Sequence, residues 1–496
     1  METLYHSTRN ASRVMSSKQA ILTGIAPDGG LFVSDQIGTQ SLDLSHVCAQ
    51  KYHAIARLVL GALLGDYTAD EIAQCVSGAY GDQWDTSAIT PLTALGDDWL
   101  LELYHGPTCA FKDVALQMLP RLMSVARTSA GDGKNVMILT ATSGDTGKAA
   151  LEGFADVEGT GVTVFYPDGK VSDIQRLQMV TQRGSNVAVC GIRGNFDDAQ
   201  TEVKHIFADA ALRDRLANAG CVLSSANSIN VGRLVPQVTY YFDAYAQLAR
   251  AGVIMVGEEI DFCVPTGNFG DVLAGYYAKL LGLPVGRLIV ASNANNVLTD
   301  FITTGTYDRR RTFHKTISPS MDILVSSNLE RLVYYLSDGD CDLVASYMKD
   351  LAEKGTYTVS DSILRKLQSS FGCGFADDEA TRRTIRSTWE ELGILIDTHT
   401  AVGKAVLDAR QHAGRQRVCL STASPYKFSA DVLAALGTDV AQLDGFACMD
   451  ALQKLTGTVA PTQLAGLRTA PERHTDVCDQ NEMNAFVENA CRRVFA

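Results

Sequence analysis

The 496-residue chain has no cysteine pair at C-x-x-C spacing, no apolar run long enough to cross a membrane, no internal repeat and no low-complexity tract. Its twelve cysteines, among them Cys48, Cys109, Cys190, Cys263, Cys373 and Cys419, lie mostly among apolar or small residues. That distribution reads as buried reduced thiols rather than a disulfide framework or a zinc site, and no metal is expected. Basic charge is also short: the formal net charge is -13. Nucleic-acid binding needs a clustered basic face that releases counterions, so a phosphate-rich polymer is set aside as a partner. The opening METLYHSTRNASRVMSSKQA lacks the apolar run of a signal peptide, and Glu2 and the early ordered motif argue against a transit peptide. The expectation is a cytoplasmic protein with no membrane partner, a monomer or homodimer, that acts on a small molecule.

With 46% hydrophobic and 20% charged residues, the composition is globular, and the length predicts two or three packed units. Val/Ile-rich runs alternate with helical patterns from about Asn135 onward, predicting parallel strands in NVMILT, VTVFYP, NVAVCG, DFCVPT, RLIVAS and VCLST. Each run ends in a turn rich in Gly, Ser, Thr, Asn or Pro, and ligands in open α/β sheets bind beyond such carboxyl ends. The first ninety residues read differently, as a mainly helical cap with helices over 45–64 and 69–80.

Five segments could carry chemistry. GPTCAFKD places Lys112 between Phe111 and Asp113. A nucleophilic lysine needs an apolar setting that lowers its pKa, although an F-K-D tripeptide alone would read as a solvated surface lysine. TATSGDTGK follows a strand and enters a helix. There Gly144 and Gly147 admit a ligand, Thr142, Ser143, Asp145 and Thr146 supply polar groups at the helix start, and Lys148 opposes the helix dipole unless it faces an anion or solvent. VPTGNFGD repeats the arrangement, with Gly267 and Gly270 around Asn268 and Phe269 before Asp271, and backbone amides of such a loop can cradle a phosphate. LSTASPYKF carries Thr422, and SANSINVGR carries Asn227, Ser228, Asn230 and Arg233, which serve equally as turn and cap residues or as ligand contacts. Lys148, Lys170, Arg233 and Lys427 are the cations near these loops that could meet a phosphorylated substrate.

Together with APDGGLF at Ala26–Phe32, these segments in this order resemble the threonine synthases, which are pyridoxal-phosphate enzymes of fold type II, the tryptophan synthase β-like class. The resemblance covers most of the chain and implies two open parallel-sheet α/β domains behind the N-terminal cap. The expected division is about 1–92 for the cap, 93–235 for a smaller domain with the lysine and the S-G-D-T-G loop, and 236–496 for a larger domain with the phosphate loop, with segments free to exchange between the two sheets. It also implies that Lys112 forms the Schiff base with pyridoxal 5'-phosphate, that Gly267 to Asp271 hold the cofactor phosphate, and that Thr422 meets the pyridine nitrogen. The Ser143–Gly147 loop would receive the substrate carboxylate. The implied reaction converts O-phospho-L-homoserine and water to L-threonine and phosphate.

Cys109 stands where the family usually has leucine, and Ser424 and Tyr426 stand where T-A-H-P-A-K-F would have histidine and alanine. The missing histidine keeps open the threonine-synthase-like offshoot, which breaks phosphohomoserine down to 2-ketobutyrate, ammonia and phosphate. A non-catalytic relative that binds a phosphorylated ligand is the reading from another class. Serine/threonine dehydratases share fold and cofactor but lack the N-terminal cap and the S-G-D-T-G loop.

Overall fold

The computed structural model describes residues 3–495 apart from Asp132 and Ser143, with backbone only at Phe196 and Asp197. The apolar runs that dominate the sequence become the inner strands of two sheets. Every residue of Thr160–Pro167, Val187–Ile192 and Ile260–Pro265 is buried, as strands covered by helices on both faces require.

At the N-terminus, β1 (Leu4–Ser7) lies between β2 (Asn10–Ser16) and β3 (Phe32–Val33) in an antiparallel sheet. The cap is therefore less helical than its composition suggested. The helix expected over 45–64 divides into Leu44–Cys48 and Tyr52–Leu63, with Lys51 extended at φ -96° and ψ 168° between them. Tyr52, Ile55, Ala56, Val59, Leu60 and Leu63 form one buried face of the second piece, at helical spacing and at about 1.5–3 kcal/mol for each large side chain. Thr68 and Glu71 cap the helix Ala69–Ala79 reciprocally.

Next come β4 (Leu92–Leu95), β5 (Asp98–Glu102), β6 (Asn135–Ala141), β7 (Thr160–Pro167), β8 (Val187–Ile192) and β9 (Cys221–Ser224). They are followed by β10 (Ile260–Pro265), β11 (Val285–Ser292), the short pair β12 (Thr306–Asp308) and β13 (Thr356–Thr358), then β14 (Phe371–Phe375), β15 (Arg417–Ser421) and β16 (Asp476–Cys478). One sheet runs β16-β8-β7-β6-β9 and is parallel throughout. The other runs β14-β11-β10-β15-β5-β4 and is parallel except for the β4–β5 hairpin. The six strands read from the sequence are β6, β7, β8, β10, β11 and β15.

The sheets interleave along the chain. The hairpin β4–β5 and β15 flank each other in the larger sheet, while β16 returns from near the C-terminus to the smaller one. The loops leaving β6, β10 and β15 at their carboxyl ends carry the glycine and threonine motifs. Among the described residues, no helix is long and apolar enough to cross a membrane.

Candidate active site

Lys112 opens the helix Lys112–Leu116. The chain before it is pinned to the end of β15, because the Phe111 N–H donates to the Thr422 carbonyl at 2.9 Å and the Ser424 N–H to the Cys109 carbonyl at 3.0 Å. Cys109 makes the turn with a left-handed φ of 57°. Lys112 is buried, and its Nζ lies 3.3 Å from Asp145 Oδ2. Burial lowers the amine's pKa, Asp145 opposes that shift, and Lys427 and Arg233 add to it. More of the amine is then free base near neutral pH than in a solvated lysine, which is what a nucleophilic amine needs. The neighbouring Asp113 accepts from Thr108 N–H at 2.8 Å and Thr108 Oγ1 at 2.6 Å, and burial raises its carboxyl to about 6.

The loop after β6 brings Asp145 to this amine. Thr142 Oγ1 accepts from the N–H groups of Gly144 and Gly147, each at 3.0 Å, so this hydroxyl shapes the loop itself. Gly144 has φ 149°, and a side chain there would run into Gln175. Asp145 Oδ1 pairs with Lys427 Nζ at 2.9 Å, and Oδ2 accepts from Ser320 Oγ at 3.2 Å. Burial pushes the Asp145 carboxyl up, but Lys427 and Lys112 together hold it well below the usual carboxylate range. Thr146 is half-buried, and Ser143 lies outside the described residues. Lys148 is turned away from any anion at the loop, with Nζ on Glu152 Oε2 at 2.7 Å and on Gln182. Lys170 is exposed in the turn after β7.

The loop after β10 is held from outside. Its Gly267 carbonyl accepts from Ser326 Oγ at 2.8 Å, and its Asn268 carbonyl accepts from both N–H and Nδ2 of Asn328 at 3.1 Å. Phe269 is buried at a left-handed φ of 63° and offers no side-chain cap to the helix Gly270–Leu280. Those first-turn amides face the loop with the positive end of the helix dipole. The Asp271 carboxylate points elsewhere: its Oδ1 accepts from Tyr240 and Tyr241 hydroxyls at 2.5 and 2.9 Å, and burial raises it to about 6. This acid fastens the helix through Oδ1, and its Oδ2 has no partner among the described residues.

In the segment SANSINVGR, Asn230 is committed to structure. It caps the helix Val231–Leu234 and donates to the carbonyls of Ile21 and Ser225 at 3.0 and 3.2 Å. Asn227 accepts from Thr140 Oγ1 at 3.0 Å, and Ser228 is half-buried beside Gly270. Arg233 is buried, donates to the Ala226 carbonyl at 3.0 Å and forms no ion pair among the described residues. Burial lowers its guanidinium to about 10.

Two contributors were not singled out in the sequence. Ser320, in the turn Pro319–Met321, reaches Asp145 with its hydroxyl, while its backbone N–H donates to His399 Nε2 at 3.1 Å. A Cβ on Gly267 would come within 2.9 Å of the Ser320 carbonyl oxygen, so this residue touches both glycine loops. His399 contacts Asp397 Oδ1 through Nδ1 at 2.9 Å. With Nε2 accepting from the Ser320 N–H, Nδ1 is the nitrogen that faces Asp397 as donor. The D-T-H-T run at the start of the helix Thr398–Asp408 was a legible cap, but nothing local tied it to loops more than a hundred residues away.

A buried amine, a carboxylate between two lysines and an uncapped helix start suit a ligand that has both a reactive carbonyl and a phosphate. The residues present therefore fit pyridoxal phosphate, with Lys112 to hold its carbonyl carbon and the Gly267–Gly270 amides to hold its phosphate.

Comparison with known proteins agrees with this chemistry. The family model described as pyridoxal-phosphate dependent enzyme matches residues 89–422, threonine synthase N terminus matches 4–80, and threonine synthase, C-terminal matches 400–487. Threonine synthase-like 1 of Homo sapiens is 38% identical over 430 residues, covering 84% of this chain; the chain spans only 58% of that relative's length. Threonine synthase of Pseudomonas aeruginosa is 39% identical over 428 residues, covering 86% of this chain and 88% of that one. The crystal structure of PLP-bound threonine synthase from Brucella melitensis superposes with a TM-score of 0.89 at 35% identity and full coverage of both chains.

Proposed function

This chain belongs to the threonine synthase family of pyridoxal-phosphate-dependent enzymes, and on that footing we propose that it converts O-phospho-L-homoserine and water into L-threonine and phosphate. The observation that carries the reading is the Lys112 amine, buried, shifted toward its free base and set 3.3 Å from Asp145 where the two glycine loops meet. Bound pyridoxal phosphate supplies the electron sink for the carbanion chemistry. Lys112 is the base that removes protons from the substrate's Cα and Cβ and the acid that returns them. Asp145, ionised between Lys112 and Lys427, holds the amine in place and draws a proton to it after each transfer.

Thr142, Ser143, Gly144, Asp145 and Thr146 form the loop proposed to take the substrate carboxylate. Arg233, with Asn227 and Ser228 beside it, is proposed to take the substrate phosphate. It is a buried cation without an ion pair among the described residues. Arg331, also without one, commits its donors to the Phe32 and Ile229 carbonyls and Asn328 Oδ1, whereas Lys148 is already paired with Glu152 and Asn230 is committed to its cap. A charge-assisted contact made in the transition state is worth about 2–4 kcal/mol. Arg233→Met should thus lower kcat/KM on phosphohomoserine by roughly 30- to 1,000-fold while the visible spectrum of the bound cofactor persists.

Product analysis of the wild type tests the whole reading: threonine and phosphate should appear in equal amounts. Ser424, buried in the place of the family histidine, favours a second outcome, in which water is not delivered to Cβ. Release of 2-ketobutyrate and ammonia with little threonine would establish that phospholyase activity and overturn the first.

A further inference from the structure

Cys221 begins the edge strand β9, and Cys491 sits in the last turn of the helix Met483–Val494. The two thiols share a hydrogen bond at 3.5 Å across 270 residues of sequence. A disulfide needs a sulfur separation of about 2.05 Å, so about 1.5 Å of closure would bring these atoms to bonding distance. In that contact Cys221 Sγ donates and Cys491 Sγ accepts. Whichever of the two thiols loses its proton first is the nucleophile of the pair.

Both cysteines, themselves almost fully buried, line a groove of about 580 Å³ between the helices Ala210–Asn218 and Met483–Val494. At its mouth, Glu488 accepts from Arg492 at 2.6 Å and meets Arg215 Nε at 3.4 Å, with both guanidiniums more than half exposed. Two cations against one carboxylate leave a net positive rim. We propose that Cys221 and Cys491 form a redox modification site at which a small anionic disulfide, of the glutathione disulfide type, enters this groove and converts the pair to an intramolecular disulfide.

The exchange balances without another reactant. The thiolate of one cysteine of the pair attacks one sulfur of the small disulfide, whose S–S bond breaks and releases one thiolate with the electron pair. The second cysteine then loses its proton and attacks the protein sulfur of the mixed disulfide, releasing the second small thiolate. Two protein thiols are oxidised by two electrons, the small disulfide is reduced to two thiols, and the protein's protons end on them. The product bolts the C-terminal helix to β9. Cys221 pairs with Asn135, at the opposite end of β6 from Ala141 and the Asp145 loop, so turnover is unaffected.

The test uses the full-length holoenzyme incubated with glutathione disulfide and digested without reduction for mass spectrometry. The expected result is a Cys221–Cys491 linked peptide, with hydrogen exchange of the helix Met483–Val494 slowed at least tenfold. Cys491→Ser and, separately, Cys221→Ala should retain turnover and lose that protection. Arg492→Ala should slow the reaction with glutathione disulfide several-fold and leave that with neutral 2-hydroxyethyl disulfide unchanged. Linkage of Cys190 to Cys478 instead, or no loss of thiols while the protein stays folded, overturns the site. An unchanged rate for Arg492→Ala overturns the anionic class.

Discussion

Lys112 and Lys427 are both buried and both bonded to one carboxylate, Asp145, yet they are not equivalent. Lys427 also donates to the Thr108 carbonyl at 2.9 Å, which commits it to structure, whereas the Lys112 amine has a longer hydrogen bond to Asp145 and lies 5.0 Å from the Phe111 ring centroid. Lys112→Ala should therefore abolish the visible absorption of bound cofactor and cut turnover at least about a hundredfold, the scale of losing a general acid–base group, with the fold retained by circular dichroism. A variant with a near-native spectrum and rate would remove Lys112 from the mechanism. The lysine was legible because its flanking motif is distinctive. Lys148 was not, since a cation in a first turn says nothing of Glu152 four residues on, which reaches it at 2.7 Å. Ser320 and His399 were silent for another reason: their meaning arises only when β10, β11 and the helix Thr398–Asp408 pack together.

At the level of elements, the long buried strands could be read because continuous apolar runs between turn residues have few alternatives. β9 and β16, of four and three residues, are too short to show a period, and β4–β5 is a hairpin around Gly96 at φ 66° that alternation alone does not reveal. The loop after β10 separates two effects of glycine. At Gly267 a Cβ meets the Ser320 backbone at 2.9 Å, but at Gly270 it meets Asn328 and Ser228 side chains only at 3.4 Å and beyond. Gly267→Ala should displace the loop and lower cofactor affinity at least tenfold, about 1.4 kcal/mol. Gly270→Ala should leave the melting temperature nearly unchanged, so any loss of affinity there reports close approach of the phosphate. Unchanged affinity in both would place the phosphate elsewhere.

The helix Val238–Arg250 carries a titration of its own. Burial raises Asp243 from 3.8 to about 7, opposed by hydrogen bonds from Thr90 and Gln247 and by Arg250. The folded protein then binds a proton that the unfolded chain releases near 3.8. This favourable contribution is complete below pH 3.8 and is lost as pH rises through about 7, a change of up to about 4 kcal/mol. Asn can accept the same hydrogen bonds from Thr90 and Gln247. Asp243→Asn should thus flatten this part of the stability loss between pH 5 and 8 in urea unfolding, and identical pH slopes for the two proteins would show that Asp243 does not titrate as its burial requires.

The whole molecule is gathered at Arg331, whose side chain is fully buried. Its Nε donates to the Phe32 carbonyl of the N-terminal sheet at 2.9 Å, one terminal nitrogen to the Ile229 carbonyl at 2.6 Å, and the other to Asn328 Oδ1. Asn328 in turn holds the Asn268 carbonyl. One guanidinium thus joins the cap, the segment leading to Arg233 and the loop after β10, and its planar fork is why lysine would not replace it. Its neighbour Glu330 makes another tie to the cap, accepting from Thr8 and bidentately from Arg9 at 2.8 Å, without touching the loop. The two residues should separate on mutation. Arg331→Met leaves three buried acceptors without donors, at about 1–3 kcal/mol each, so unfolding free energy should fall by at least about 3 kcal/mol and cofactor affinity should fall with it as Asn328 loosens. Arg9→Ala removes a charge-assisted pair worth about 1.5–3 kcal/mol and leaves the Asn328–Asn268 contact intact, so stability should fall while affinity holds. If both variants lose affinity in proportion to stability, the cap supports the cofactor loop only through global folding; if only Arg331→Met does, the support is the direct chain of hydrogen bonds from Phe32 to Asn268.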